Sequence, residues 1–396
     1  MATMSGGNAA GRHASWLELF FDLVVVAAVM QLAHRLHGEP TPADVGLFVL
    51  LYLAVWLAWS SFTLYANVAG DRTSQRSMLA AMAGIAVLAA AVPEATEQRV
   101  VVFVVAYVVV RVLGARTMRR TGTNLTAWPT VQGLLGVVPW LASIWVEPPG
   151  RYVLWTVGVA IDLLLPLGAR AEARVPRFAQ RMIEAQARRE GRPVEDFAAR
   201  VPKPARVDLA HLAERLGLFM IIVLGEAVLQ VVTTAAELPW TGRLVAVAGL
   251  GFVVLVGMWW HLFRYGLIAS EGRSLPVSVA MPLHFVTTVS ITAVAVGLGG
   301  IVAHPEHVPA ADGWLLCGGV AGWFLAGVLG GLPDPANRRW LLAAGLPGIA
   351  VPIALAAVGR SLPGPAFTGV LVVLMAWQWA YSTRQEQRRS RLVPVG

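Results

Sequence analysis

The stretch LAHLAERLGLFMIIVLGEAVLQVVTTAA, Leu209 to Ala236, is long enough to cross a bilayer yet carries Glu214, Arg215 and Glu226. A charge near the middle of a membrane helix opposes insertion by about 2.5–3.5 kcal/mol, so three in one span call for partners or an aqueous pocket. Helical geometry sorts them. Eleven steps of roughly 100° bring Glu226 back to the face of Arg215, with Gln230 a turn beyond and His211 a turn before. The same eleven steps, at about 1.5 Å each, hold Arg215 and Glu226 roughly 16 Å apart. Each must find its counter-charge on another helix.

The rest of the chain sets the class. Of 396 residues, 57% are hydrophobic and 14% charged, against about 25% charged in soluble proteins. An all-α polytopic membrane protein follows. A net charge of +8 would suggest nucleic acid as partner for a soluble chain, but here the arginines gather in alternate loops, so none is expected. Lys203 is the single lysine and lies in a polar loop, which excludes a retinal Schiff base. Cys317 is the single cysteine, so neither a disulfide framework nor a thiolate metal cluster is expected. There is no P-loop, nucleophile elbow or HExxH motif, and the expectation is a non-enzyme without cofactor or metal.

Hydropathy divides the chain into twelve spans at 16–37, 44–66, 75–92, 99–115, 126–146, 151–171, 209–236, 242–266, 276–302, 312–332, 338–358 and 364–382. Basic residues crowd the N-terminus, the C-terminus and every second loop. The opposite face holds only Arg35, Arg99, Arg151, Arg243 and Arg360. The excess of basic residues on one side places both termini in the cytoplasm of a bacterial inner membrane. The polar segment 172–208 splits the chain into a six-helix repeat at 1–171 and another at 209–396. The openings WLELFFDLVVV and LAERLGLFMIIV match, as do the endings WLAWSSFTLYAN and MWWHLFRYG. Six spans per half give the halves the same orientation, a pattern found among transporters. Within the linker, RFAQRMIEAQARRE reads as an amphipathic helix facing anionic lipids of the inner leaflet. Gly318 with Gly322 and Gly327 with Gly331 have GxxxG spacing, suited to close helix contact inside the bundle or in a homodimer. Pro129, Pro139, Pro347 and Pro352 predict kinks.

The remaining polar residues inside spans are the candidates for chemistry. Glu18 and Asp22 lie four apart on one face of the first span and repel unless a cation joins them. Arg111 and Arg215, at similar depth, are the cations available, giving an inner cluster of Glu18, Asp22, Arg111, His211, Glu214 and Arg215. Asp162 near the centre of the sixth span and Glu226 in the seventh are the deepest acids, suited to proton or ion handling, with Gln230 able to bond either form of Glu226. Gly225 would let a neighbouring helix or a ligand approach. Gln31, His34, His261 and His284 complete the set. The outer loop HPEHVPAAD presents His304, Glu306, His307 and Asp312, which a divalent cation would hold only weakly.

The motifs WLELFFDLVVVAAVMQLAHRL and HLAERLGLFMIIVLGEAVLQV resemble those of the bacterial low temperature requirement A protein (LtrA) family. YANVAGDRTSQRSMLAAMAG, YVVVR around Arg111, the segment from Asp162 to Pro166 and the pair Trp259–Trp260 extend the likeness over residues 15–300. The resemblance places recurrent polar residues at Glu18, Asp22, Gln31, His34, Arg111, Asp162, His211, Glu214, Arg215 and Glu226. After Trp260 the family often has an acid where this chain has His261, Phe263 and Arg264. The family name records growth in the cold, not a mechanism. The buried charges point to a proton- or cation-coupled transporter or ion-conducting protein for an unidentified small solute or ion. The alternatives are a membrane scaffold acting in stress or cold growth, and an intramembrane enzyme acting on a lipid-linked substrate.

Overall fold

The computed structural model describes residues 13–125, 128, 131, 133–168, 188–190, 203–265, 275–332 and 338–392. Within them the protein is all-α and polytopic, with nine helices long and apolar enough to cross a membrane. In chain order the elements are α1 Trp16–His34, α2 Pro42–Ala69, α3 Gln75–Ala91, α4 Val100–Arg120, α5 Val137–Ala142, α6 Gly150–Gly168, α7 Leu209–Ala236, α8 Gly242–Tyr265, α9 Val277–Ala303, α10 Ala310–Gly331, α11 Arg338–Val358 and α12 Gly364–Leu392.

Helix starts follow from their caps. Ser15 accepts from the Glu18 amide while the Glu18 side chain bonds back to the Ser15 amide, and Thr41 with Asp44 does the same for α2. These are capping boxes. Asp208 caps α7 by accepting from the amides of Ala210 and His211. Asn67 of α2 then pins that cap, donating to the Asp208 carbonyl and accepting from its amide, both at 2.9 Å. The helix α2 is buried on every side from Ala54 to Asn67, as a helix apolar all round should be. It forms the central post of the first half.

Three contacts run along α1 and α7: Glu18 with His211, Asp22 with Arg215, and His37, just past α1, with Gln230. Each joins residues 193 apart. The two helices therefore lie side by side, parallel and in constant register. At one end of this seam a two-stranded parallel pairing joins β1, Thr123–Asn124, to β2, Lys203–Pro204. At the other end Arg35 donates to the Pro93 carbonyl at 2.9 Å and Arg151 to the Thr96 carbonyl at 2.7 Å. The chain between Asn124 and Gly150 thus travels from one end of the bundle to the other.

That passage corrects the expectation of a full-length helix over 126–146. Among its described residues only Val137–Ala142 is α-helical, followed by a 3₁₀ turn, Ser143–Trp145. Hydropathy does not register what Pro129, Gly133, Gly136 and Pro139 do to a helix. A segment later in the chain is also interrupted. In α11 a π-helical turn, Leu341–Gly345, precedes Leu346–Val358. Pro347 lacks the amide that would bond the Ala343 carbonyl, and Trp377 Nε1 of α12 donates there instead, at 3.1 Å. Gln378 Nε2 takes the next carbonyl, Ala344, at 2.5 Å.

In the second half α9 and α10 pack almost backbone to backbone. A Cβ on Gly297 would meet Leu316 N at 2.4 Å, and one on Gly319 would meet Ser290 O at 2.6 Å. Of the expected GxxxG pair Gly318 and Gly322, only the second faces α9, and Gly319 stands in for the first. Gly322 does face Ser290, but Gly318 faces nothing within 4 Å and Gly327 only touches Trp340. The last helix runs on to Leu392, past the expected end at 382. Most of the 172–208 linker, including all but Arg188–Glu190 of its expected amphipathic helix, lies outside the described residues.

Candidate functional site

At the Glu18 end the α1–α7 seam is a closed set of charges. Arg215 reaches both acids of α1, with Nη2 at 2.7 Å from Asp22 Oδ1 and Nη1 at 3.1 Å from Glu18 Oε1. His211 Nε2 lies 3.2 Å from the same Glu18 oxygen. The other oxygen of Glu18 accepts from the Ser15 amide and hydroxyl, so one carboxylate both caps α1 and joins it to α7. Trp59 Nε1 of α2 donates to Asp22 Oδ1 at 2.7 Å. Glu18, Asp22, His211 and Arg215 are each no more than 1% exposed. Ion pairs this deep hold only while both partners remain, because a lone charge left behind is unsolvated.

Arg111 does not belong to this cluster, contrary to the expectation that it would stand with Glu18 and Asp22. It pairs with Asp162, Nη2 to Oδ2 at 2.8 Å, and donates from Nη1 to Ser61 Oγ at 2.9 Å. Both side chains are at most 2% exposed. Gly136 of the interrupted segment closes over Asp162, since a Cβ there would lie 2.4 Å from Oδ1. Asp162 is thus a neutralised partner at the α4–α6 contact rather than a solitary acid. Glu214 is also outside the cluster: it is half-exposed and meets His13 at 3.4 Å.

Toward its other end the seam opens into a cleft lined by Val29, Met30, Ala33 and His34 of α1, Val223, Glu226 and Gln230 of α7, and Thr292, Ala295 and Val296 of α9. It offers about 20 Å³ to the centre of a water-sized sphere, room for a single water. His34 Nδ1 lies 2.8 Å from the Met30 carbonyl. A carbonyl only accepts, so the hydrogen of this contact sits on Nδ1. Gln230 Nε2 is 3.0 Å from His37 Nε2. His37 takes up a proton less readily than a free histidine, because of partial burial and then the neighbouring His34. Between the cleft and the charged cluster, Val25 and Val26 of α1 and Phe219 and Met220 of α7 are buried. Twelve residues, roughly 18 Å of helix, separate Asp22 from His34.

The other expected residues are dispersed. Gln31 is exposed and does not line the cleft. Nothing lies within 4 Å of a Cβ on Gly225, so no helix approaches there. His261 bonds the Gly257 carbonyl and meets Trp323 edge-on, away from the seam. In the loop after α9 Glu306 is paired with Arg243 and His304 bonds the Gly300 carbonyl. Among the described residues no group of three or more His, Cys, Asp or Glu is arranged to hold a metal ion. Sequence reasoning missed Trp59, Ser61 and His37. The Ser60–Ser61 pair in an otherwise apolar span was the one available sign of the first two.

The family model of the bacterial low temperature requirement A protein matches residues 13–380. A protein of Rhizobium meliloti described as uncharacterized is 28% identical, over 97% of this chain and 96% of its own length. No solved structure matches.

Proposed function

The chain belongs to the bacterial low temperature requirement A family, and from that membership and its geometry we propose that it is a proton- or cation-coupled transporter or ion-conducting protein, not an enzyme. One observation carries the reading: a small cleft that presents His34, Glu226 and Gln230 at one end of the α1–α7 seam, a shut charge cluster at the other, and buried apolar side chains between them. Such a seam resembles a carrier caught open to one side. Glu226 with His34 and Gln230 forms the loading site, and Glu18, Asp22, His211 and Arg215 form the closed gate. Asp162, being paired, serves to hold the broken fifth segment.

The same reading has twelve crossings in two parallel six-helix repeats, with both termini cytoplasmic. Parallel α1 and α7 call for an odd number of crossings between them, and this reading counts the passage between α4 and α6 as one despite its short helix. Interruption of the fifth segment in both halves supports the repeat, because paired broken segments are a mark of transporter folds. In the opening motifs, aligning Glu18 with Glu214 brings Met30 onto Glu226 and His34 onto Gln230. All four line the cleft, as expected if it sits on the axis relating the halves. On this reading the cleft opens to the outside, and the basic linker faces anionic lipids of the inner leaflet.

Purified protein in liposomes, assayed for proton and potassium flux with and without an imposed gradient, tests the proposal. Glu226→Gln keeps the hydrogen-bonding capacity and loses the exchangeable charge. It should fold normally and lose gradient-coupled flux. Absence of flux in the wild type for every ion tried would favour the scaffold reading, to which the buried ion pairs of the inner cluster are equally suited.

A further inference from the structure

The cleft on the α1–α7 seam presents four polar side chains, His34, Glu226, Gln230 and Thr292, and the donors among them are engaged elsewhere. Thr292 Oγ1 donates to the Thr288 carbonyl, one turn back on α9, at 3.0 Å. His34 Nδ1 donates to the Met30 carbonyl, and the neutral ring then presents Nε2 as a lone pair. An amide nitrogen only donates, so Gln230 Nε2 gives a hydrogen to His37 Nε2, and His37 stands outside the cleft lining. A planar amide that turns its nitrogen to one side turns its oxygen to the other. Glu226 makes no hydrogen bond among the described residues, and its one electrostatic neighbour there is His34. Further along α9, His284 accepts from Trp56 Nε1 at 3.1 Å and stacks on Trp59, away from the cleft. The cleft is therefore a set of acceptors: a carboxylate, an amide oxygen, a hydroxyl oxygen and an imidazole nitrogen.

We propose that this cleft binds an ammonium group, which deepens the transport reading by naming the chemistry of the cation its loading site takes. Acceptors without donors select an occupant that brings hydrogens and positive charge. Size limits it next: the cleft has room for a single water, and an ammonium ion is of that size. Charge agrees, because Glu226 is the one acid lining the cleft and neutralises a single positive charge. A divalent ion takes about six or more oxygens and would leave charge uncompensated. Sodium and potassium bring no hydrogens and bind through oxygen, so the His34 nitrogen would contribute nothing to them. Ammonium has four N–H donors for four acceptors, the imidazole nitrogen among them. His37 is then a positioning residue, since by taking the amide hydrogen of Gln230 it keeps the amide oxygen toward the ligand.

The test is thermal unfolding of the full chain in detergent at about pH 7, with ammonium chloride titrated against sodium, potassium and choline chloride at constant total chloride. A cation that binds the folded state raises the unfolding temperature in a saturable way. Ammonium should do so and the other three should not. Glu226→Gln removes the charge and should abolish the shift. Thr292→Val keeps the shape without the oxygen and should raise the half-saturating concentration about tenfold or more, the effect of one hydrogen bond to a charged group. Ethanolammonium chloride separates two sources of the group: an equal shift points to the head of a phospholipid, and no shift points to the free ion. A shift shared by sodium or potassium, no saturable shift with ammonium, or one that survives Glu226→Gln or is unchanged in Thr292→Val overturns the proposal. In liposomes, ammonium that binds but is never carried defeats the transport reading and leaves the site standing. Gradient-coupled flux from a protein that does not bind ammonium keeps the transport reading and removes this one.

Discussion

Arg215 touches two carboxylates, whereas Glu214 beside it touches an exposed histidine, and the two neighbours should respond very differently to substitution. Arg215→Gln strands Glu18 and Asp22 in a dry interior and should lower stability by about 3 kcal/mol or more, read as thermal unfolding in detergent. Glu214→Gln removes a half-exposed contact and should stay within about 0.5 kcal/mol of wild type by the same measurement. At the cleft, burial and His34 hold the protonation of His37 below the ordinary histidine value. A depressed histidine contributes stability that is complete above the unfolded value, about 6.5, and is lost as pH falls through the folded one. Acidifying the His37 side should therefore weaken the Gln230–His37 contact, and His37→Gln should abolish that pH dependence. The seam was legible because charge in a membrane span is costly and helical spacing shows which charges share a face. The choice of Asp162 for Arg111 was not legible, since hydropathy gives depth along a helix and says nothing of azimuth between helices.

Glycine shows why elements pack differently from their motifs. Gly318 and Gly225 have nothing opposite them, whereas Gly297 and Gly319 bring α9 and α10 nearly into backbone contact. Ala at Gly225 or Gly318 should be neutral or stabilise by up to about 1 kcal/mol through helix propensity. Val at Gly297 forces a Cβ onto the Leu316 backbone and should destabilise by about 1–3 kcal/mol or more. Thermal stability of the three variants decides, and equal effects would mean that α9 and α10 do not meet as described. Spacing alone pointed to the Gly318–Gly322 pair, because a GxxxG pattern does not reveal which face a helix turns inward. The fifth segment escaped notice for a related reason. A hydropathy window averages Val, Leu and Trp with Pro129, Gly133 and Pro139, and reports insertion propensity rather than helical continuity.

For the whole molecule, the distribution of arginine predicts that a reporter active only in the cytoplasm works when fused at Arg188, and that a periplasm-dependent one works at His307. The reverse result at either site would remove the twelve-crossing arrangement. The constant interval of 193 residues along the seam also has a consequence for biogenesis. Synthesis at roughly 5–20 residues per second means that a nascent α1 waits about 10–40 s in the bilayer before Arg215 exists. Throughout that time Glu18 and Asp22 lack their cation, and the newborn first half is a substrate for membrane proteases and holding chaperones. Expressed alone, a fragment ending at Asp208 should be degraded rapidly. Co-expression with residues 209–396 should rescue it, and Arg215→Gln in that second fragment should cancel the rescue.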